Sequence, residues 1–294
     1  MTGVAPGQKP SRFQRLGTAP APAFMAGLAF LLLFWEPLRT LLRDWWSDPD
    51  AGHGLLLGPL AVYLAWKRGS VPSPRAQPGW GLAILAAAVL LRYLSGLAAE
   101  LFTMRSALLL AVAGLIVFNR GVRQLLHWWL PVVLLALSIP IPTVILNTVA
   151  FPLQLKASEI GASLLELRRV PVTLAGNVLH LPGRSLFVTE ACSGLRSLTA
   201  LLSLGVLIGG LWLRSWWSRA AVLALSIPVA VVLNSFRVFL TGFLVYYVSP
   251  AMAEGFMHYT QGWVLFVVAF LLLGGIALVS SKLERRLLGS AGIA

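Results

Sequence analysis

Ala230 to Leu244 reads AVVLNSFRVFLTGFL, an apolar run with one charge, Arg237. It continues an apolar stretch that begins near Ala220. That is long enough to cross a bilayer, whose hydrocarbon takes roughly 20 residues of helix. Apolar runs recur from Ala21 to Ser280 with no long polar segment between them. The 294 residues are 58% hydrophobic and 11% charged, with a mean hydropathy of +0.82. A soluble domain carries about 25% charged residues. The composition therefore predicts a single polytopic membrane domain with no room for a second, soluble one.

Outward from that run, the expected fold is an all-α transmembrane helical bundle of about eight spans. They fall near Ala23–Leu42, Gly54–Trp66, Gly79–Leu97, Ser106–Phe118, Trp128–Ala150, Cys192–Leu213, from Ala220, and Gly262–Ser280. No small-residue cleavage site is seen at the first run, which reads as an uncleaved span. The fifth run carries Pro131, Pro140 and Pro142. An amphipathic stretch, Phe151 to Ala191, follows it, and Glu166, Arg168 and Arg169 there read as the polar face of a helix lying on the membrane surface. Residues 1–22 form a basic N-terminal segment, 23–281 the membrane domain and 282–294 a C-terminal tail.

Charge sets the orientation. Eight spans leave both termini on one side, and the segments on that side hold thirteen basic residues against one acid, Glu284. The other side holds ten basic residues against nine acids. Positive charge gathers on the cytoplasmic side, so both termini are expected to be cytoplasmic. The net charge of +13 is thereby spent on topology, and no nucleic-acid partner is expected.

Chemistry is expected at the outer ends of the last three spans. Cys192, the only cysteine, opens the sixth span. Free N–H groups and the dipole at a helix start favour a thiolate there, and Gly194 permits close approach of a substrate backbone. A small apolar residue filling a helix contact is the other reading of a lone Cys. Arg237 lies about 25–27 Å into the seventh span, near the outer edge of the hydrocarbon. Asn234, one turn earlier, shares its face and is placed to hold the guanidinium, unless Arg237 merely snorkels to the interface. His258 precedes the eighth span. A Cys–His pair supplies a nucleophile and its base, and an arginine can hold an oxyanion or a carboxylate. His53 and His180 are also outer, so this logic does not choose among the three; only His127 is on the wrong side. No metal-binding spacing and no nucleotide fingerprint is present, and neither cofactor nor metal is expected.

At these residues the chain resembles the exosortase/archaeosortase family of membrane cysteine proteases or transpeptidases. The matches are ACSGLRSL at 191–198, NSFR at 234–237 and HYTQGW from His258, supported by SDPDAGHGLLLGPLAVYLAW and GNVLHLPGRSLFVTE. The resemblance implies Cys192 as nucleophile, His258 as base and Arg237 as electrostatic partner. It further implies a bacterial inner-membrane enzyme with a periplasm-facing site. Its substrates would be secreted proteins with a C-terminal tag: a motif such as Pro-Glu-Pro, a transmembrane helix and a basic tail. The acceptor would be water or an exopolysaccharide or lipid-linked nucleophile, and membrane lipids are partners throughout. Glu190 and Arg196 flank the thiol and either orient it or pair with each other. The competing reading is a transporter or assembly component of an envelope polysaccharide system, with Arg237 binding an anionic headgroup.

Overall fold

Pro37 decides the shape of the first apolar run. It has no N–H to donate to Leu33, and its ring crowds that carbonyl. The run therefore splits into α1 (Pro20–Leu33) and α2 (Trp35–Ser47), bent by 60°. Phe34 sits at the bend, buried against Ala88, Ala107 and Ala111. The computed structural model that shows this describes residues 20–48, 51–188, 194–249 and 255–290.

α3 (Gly54–Arg68) follows, then α4 (Pro78–Leu97) and α5 (Leu101–Arg120), which pack against each other as a hairpin. Glu100 caps α5: its carboxylate accepts from the N–H groups of Phe102 and Thr103 and from the Thr103 hydroxyl, at 2.6–2.9 Å. The Thr103 hydroxyl, then its N–H, hold the Glu100 carboxyl below the ordinary carboxylate range. A depressed folded pKa stabilises the fold above the unfolded pKa, about 4.3, and that stabilisation is lost as pH falls through the folded value. The gap in melting temperature between wild type and Glu100→Ala should therefore be full near neutral pH and close below about pH 4.

The fifth expected span is broken. α6 (Val122–His127) and α7 (Trp129–Leu137) end at Ser138, and α8 (Thr143–Leu167) starts only after Pro142. Pro140 and Pro142 remove two backbone donors and push the residues before them out of helical geometry. α8 then runs through the stretch read as amphipathic, but only as far as Leu167. Arg168 is its C-cap and Arg169 takes a left-handed φ of 59°, so these two arginines stand on the turn after the helix, not on a helix face with Glu166.

Three strands follow: β1 (Thr173–Ala175), β2 (Val178–Leu181) and β3 (Arg184–Phe187), an antiparallel meander in that order. Gly176-Asn177 and Pro182-Gly183 make the two-residue turns, with Gly176 at φ 63° and Gly183 at φ 75°. Glycine at the first central position of one turn, and Pro-Gly in the other, are the residues such turns select. The inner face of this sheet, Leu179 and Leu181, packs with Ala162 and Leu165 of α8 and with Val170 and Val188. The sheet thus caps one end of an otherwise helical protein.

α9 (Gly194–Trp212), α10 (Trp216–Tyr247) and α11 (Gly255–Ser290) complete the chain. They share one apolar cluster that includes Leu201, Leu204, Val222, Ala230, Ala269 and Leu273. In lipid such a cluster is held by close packing and not by exclusion of water. Val238 and Val245, toward the end of α10, join the cap cluster instead. α8 lies against α10 where Gly161 faces Val238 and Gly242 faces Leu165; a Cβ at either glycine would come within 2.7 Å of that side chain.

At the end opposite the cap, Glu284 of α11 accepts from the N–H groups of Arg214 and Ser215, tying α11 to the start of α10. Arg219 donates twice to the Leu213 carbonyl and lies 4.8 Å over the Trp129 ring. Among the described residues, α4, α5, α10 and part of α11 are long and apolar enough to cross a membrane, and the bent α1–α2 pair makes a fifth. The shortfall from eight lies in α3, α9 and the α7–α8 break, which are short or interrupted.

Candidate active site

The segment expected to carry the thiol is bracketed by two well-packed points. Before it, Val188 is 3% exposed in the cap cluster and donates its N–H to Asn177 at 3.0 Å. After it, Gly194 opens α9, and Leu198 one turn on belongs to the three-helix cluster. Glu190 and Cys192 themselves lie outside the described residues. Gly194 and Arg196 are in the first turn of α9.

Asn234 and Arg237 occupy the step between the two apolar clusters. Ala230 is in the three-helix cluster and Val238 in the cap cluster. Asn234 is buried, 8% exposed, and Arg237 half-buried.

Helix register relates these groups. α9 and α10 run antiparallel, with Gly209 against Arg219 and Gly205 against Leu223 and Ser226. Eleven residues back along α9 from Gly205 is Gly194; eleven residues on from Leu223 and Ser226 are Asn234 and Arg237. α9 and α11 run parallel, with Trp212 against Gly274. Sixteen residues back along both are Arg196 and His258. The registers carry the first turn of α9, the Asn234–Arg237 step of α10 and the first turn of α11 to one level, beneath the cap. A helix start presents unpaired N–H groups and the positive end of its dipole. With a guanidinium level with it, such a place favours an anion.

The other histidines differ in setting. His53 Nε2 is 3.2 Å from the Leu137 carbonyl, holding the start of α3 to the end of α7. His127 Nε2 is 3.2 Å from the Arg68 carbonyl, at the end away from the cap. His180, on β2, has Nδ1 2.8 Å from Ser185 Oγ on β3.

A family model of transmembrane exosortases matches residues 45–275. The chain belongs to that family. Among curated proteins and among solved structures, none matches it. The match takes in the cap, α9, α10 and α11 as far as Gly275.

In this exosortase one charged pair escaped the sequence reading. Arg105, 3% exposed on α5, meets Asp44 of α2 at 2.6 Å. Beside Asp44, Trp45 donates its indole N–H to the Ser138 carbonyl at 2.7 Å, and its ring fills the space over Gly54 and Gly58. An arginine at the start of an apolar run was the available signal, since such a charge needs a partner.

Proposed function

We propose that this exosortase is a thiol protease or transpeptidase that removes C-terminal sorting tags from secreted proteins at the outer face of the cytoplasmic membrane. The reading rests above all on the common level of the first turns of α9 and α11 and the Asn234–Arg237 step. Cys192, two residues before α9, attacks the carbonyl carbon of the scissile peptide as a thiolate, and His258 takes the thiol proton. Arg237, held by Asn234, offsets the charge of the tetrahedral oxyanion. The C–N bond breaks, His258 returns the proton to the leaving amine, and a thioester remains. Water or an acceptor nucleophile then releases the processed protein. Gly194 lets the substrate backbone approach, while Glu190 and Arg196 position the thiol or the peptide.

The topology that goes with this reading has eight crossings: the α1–α2 pair, α3, α4, α5, α7 with α8, α9, α10 and α11. Both termini are cytoplasmic. It is supported by the basic residues at the end opposite the cap, among them Lys67, Arg68, Arg120, Arg123, Arg214 and Arg219. The cap then faces the periplasm, where a substrate anchored by its own helix presents its tag.

Two measurements test this. A secreted reporter ending in a Pro-Glu-Pro motif, a transmembrane helix and a basic tail is co-expressed with the exosortase. Shortening of the reporter is expected, with mass spectrometry of its new C-terminus separating hydrolysis from transfer; an intact reporter overturns the reading. Because Cys192 is the only thiol, a membrane-impermeant maleimide should label spheroplasts from outside. Labelling only in inverted vesicles would reverse the topology.

A further inference from the structure

The sheet of the cap has an open edge, on a strand that ends five residues before the candidate nucleophile in the chain. Strand order is β1-β2-β3, so β3 is an outer strand. Val188 donates to Asn177, which makes that cross-strand pair a hydrogen-bonded one. Bonded and non-bonded pairs alternate in an antiparallel ladder. Val178/Phe187 is thus a non-bonded pair, Leu179/Leu186 a bonded one and His180/Ser185 non-bonded. Ser185 and Phe187 therefore turn their backbone N–H and C=O groups away from β2, toward the edge. Among the described residues no strand pairs with that edge. Phe187 is exposed and Leu186 packs on the cap cluster, so the strand is anchored by one face only. Cys192 follows Phe187 by five residues, a reach of at most about 18 Å.

We propose that the extended tag of the protein substrate adds to β3 as a fourth strand and is delivered along it to Cys192. This rests on the protease reading above. Main-chain pairing at an open edge requires an extended peptide, and the tag of that reading suits it in a specific way. In a Pro-Glu-Pro segment the two prolines lie at alternate positions and so share one side of the strand. Proline is tolerated in a sheet only where its missing N–H faces away from the neighbouring strand. The segment can then pair in one way, with the glutamate N–H and C=O turned to β3 and both prolines turned outward.

Opposite Ser185 that glutamate would form a bonded pair and place its side chain on the same face as the Ser185 hydroxyl. With a proton on Nδ1, His180 donates to Ser185 Oγ, and the hydroxyl proton is left to a carboxylate. The pair thus reads the acidic residue of the tag, a task for His180 apart from the proton transfer assigned to His258.

Proline substitution in the enzyme tests the rail. At Ser185 or Phe187 it removes an N–H that β2 does not use, so the sheet keeps its own bonds. The probe is a fluorescein-labelled synthetic peptide spanning Pro-Glu-Pro, and its binding to the full-length Cys192→Ala chain in nanodiscs is followed by anisotropy. Ser185→Pro and Phe187→Pro should each weaken binding at least about tenfold without lowering the melting temperature, as should N-methylation of the peptide at its glutamate. Binding within twofold of the parent by both folded proline variants overturns the proposal, as does binding indifferent to N-methylation or no binding by the parent. Reporter cleavage separates this from the function itself. If wild type shortens the reporter and both proline variants do so equally fast, the strand addition fails and the protease stands. If the peptide binds in this pattern and the reporter stays whole, the protease reading is what fails.

Discussion

Cys192→Ala should abolish shortening of the tagged reporter while the protein stays at wild-type level in the membrane. Removing the attacking atom of a covalent mechanism leaves only what binding and electrostatic stabilisation supply, and the loss should be about 10⁴-fold or more. Cys192→Ser should be nearly as inactive, because a hydroxyl beside an imidazole tuned to a thiol keeps its proton. The alanine variant is one heavy atom smaller and the serine variant has the same number, so folding and insertion should be spared in both. Membrane level by blot and reporter length in the same cells separate chemistry from abundance. If Cys192→Ala cuts as wild type does, the nucleophile is another group. Tolerance at Cys192, Arg237 and His258 alike would point to a protein with no reaction at all.

The second large effect concerns stability and lies far along the chain from the thiol. Asp44→Ala should lower stability by about 3 kcal/mol, because it leaves the Arg105 guanidinium buried without its carboxylate. Asp44 keeps 32% of its side-chain surface, and solvent there holds the cost to the low end of the range for breaking a buried pair. Replacing both partners tells pairing from packing. The Asp44→Leu, Arg105→Met double variant should recover most of the loss, since matched apolar residues remove the stranded charge. Thermal unfolding in a mild detergent measures both. A single variant that melts with wild type would show that the pair carries no stability.

The long runs were legible because hydropathy alone defines them: α4 spans Pro78–Leu97 where Gly79–Leu97 was expected. The cap was not. Its signals were in plain view, an alternating NVLHL, a Gly-Asn turn and a Pro-Gly turn, yet they sit in a chain whose period everywhere else is that of helices. The Ser138–Pro142 break was marked by its prolines, but a proline in an apolar run bends a helix as readily as it ends one. The level shared by Gly194, Arg196, Asn234, Arg237 and His258 follows from helix packing, and no spacing within one segment encodes it. Span counting predicted the same end of the bundle for these groups. That α9, α10 and α11 are mutual neighbours was expected only from the short connections between them.

α3 is 15 residues long, about 22 Å of helix, and its Leu55, Leu56, Val62, Tyr63 and Trp66 are exposed. Ordinary bilayer hydrocarbon is about 30 Å thick. In the eight-crossing topology proposed above α3 spans the bilayer, and along this flank the membrane would then thin by about 8 Å to match it, at a small cost per ångström. A substrate helix cut to ordinary bilayer thickness overhangs there by about a turn and a half. On the proposed function, thinning of the lipid would thus lift the polar end of an arriving substrate anchor into water before any protein contact does so.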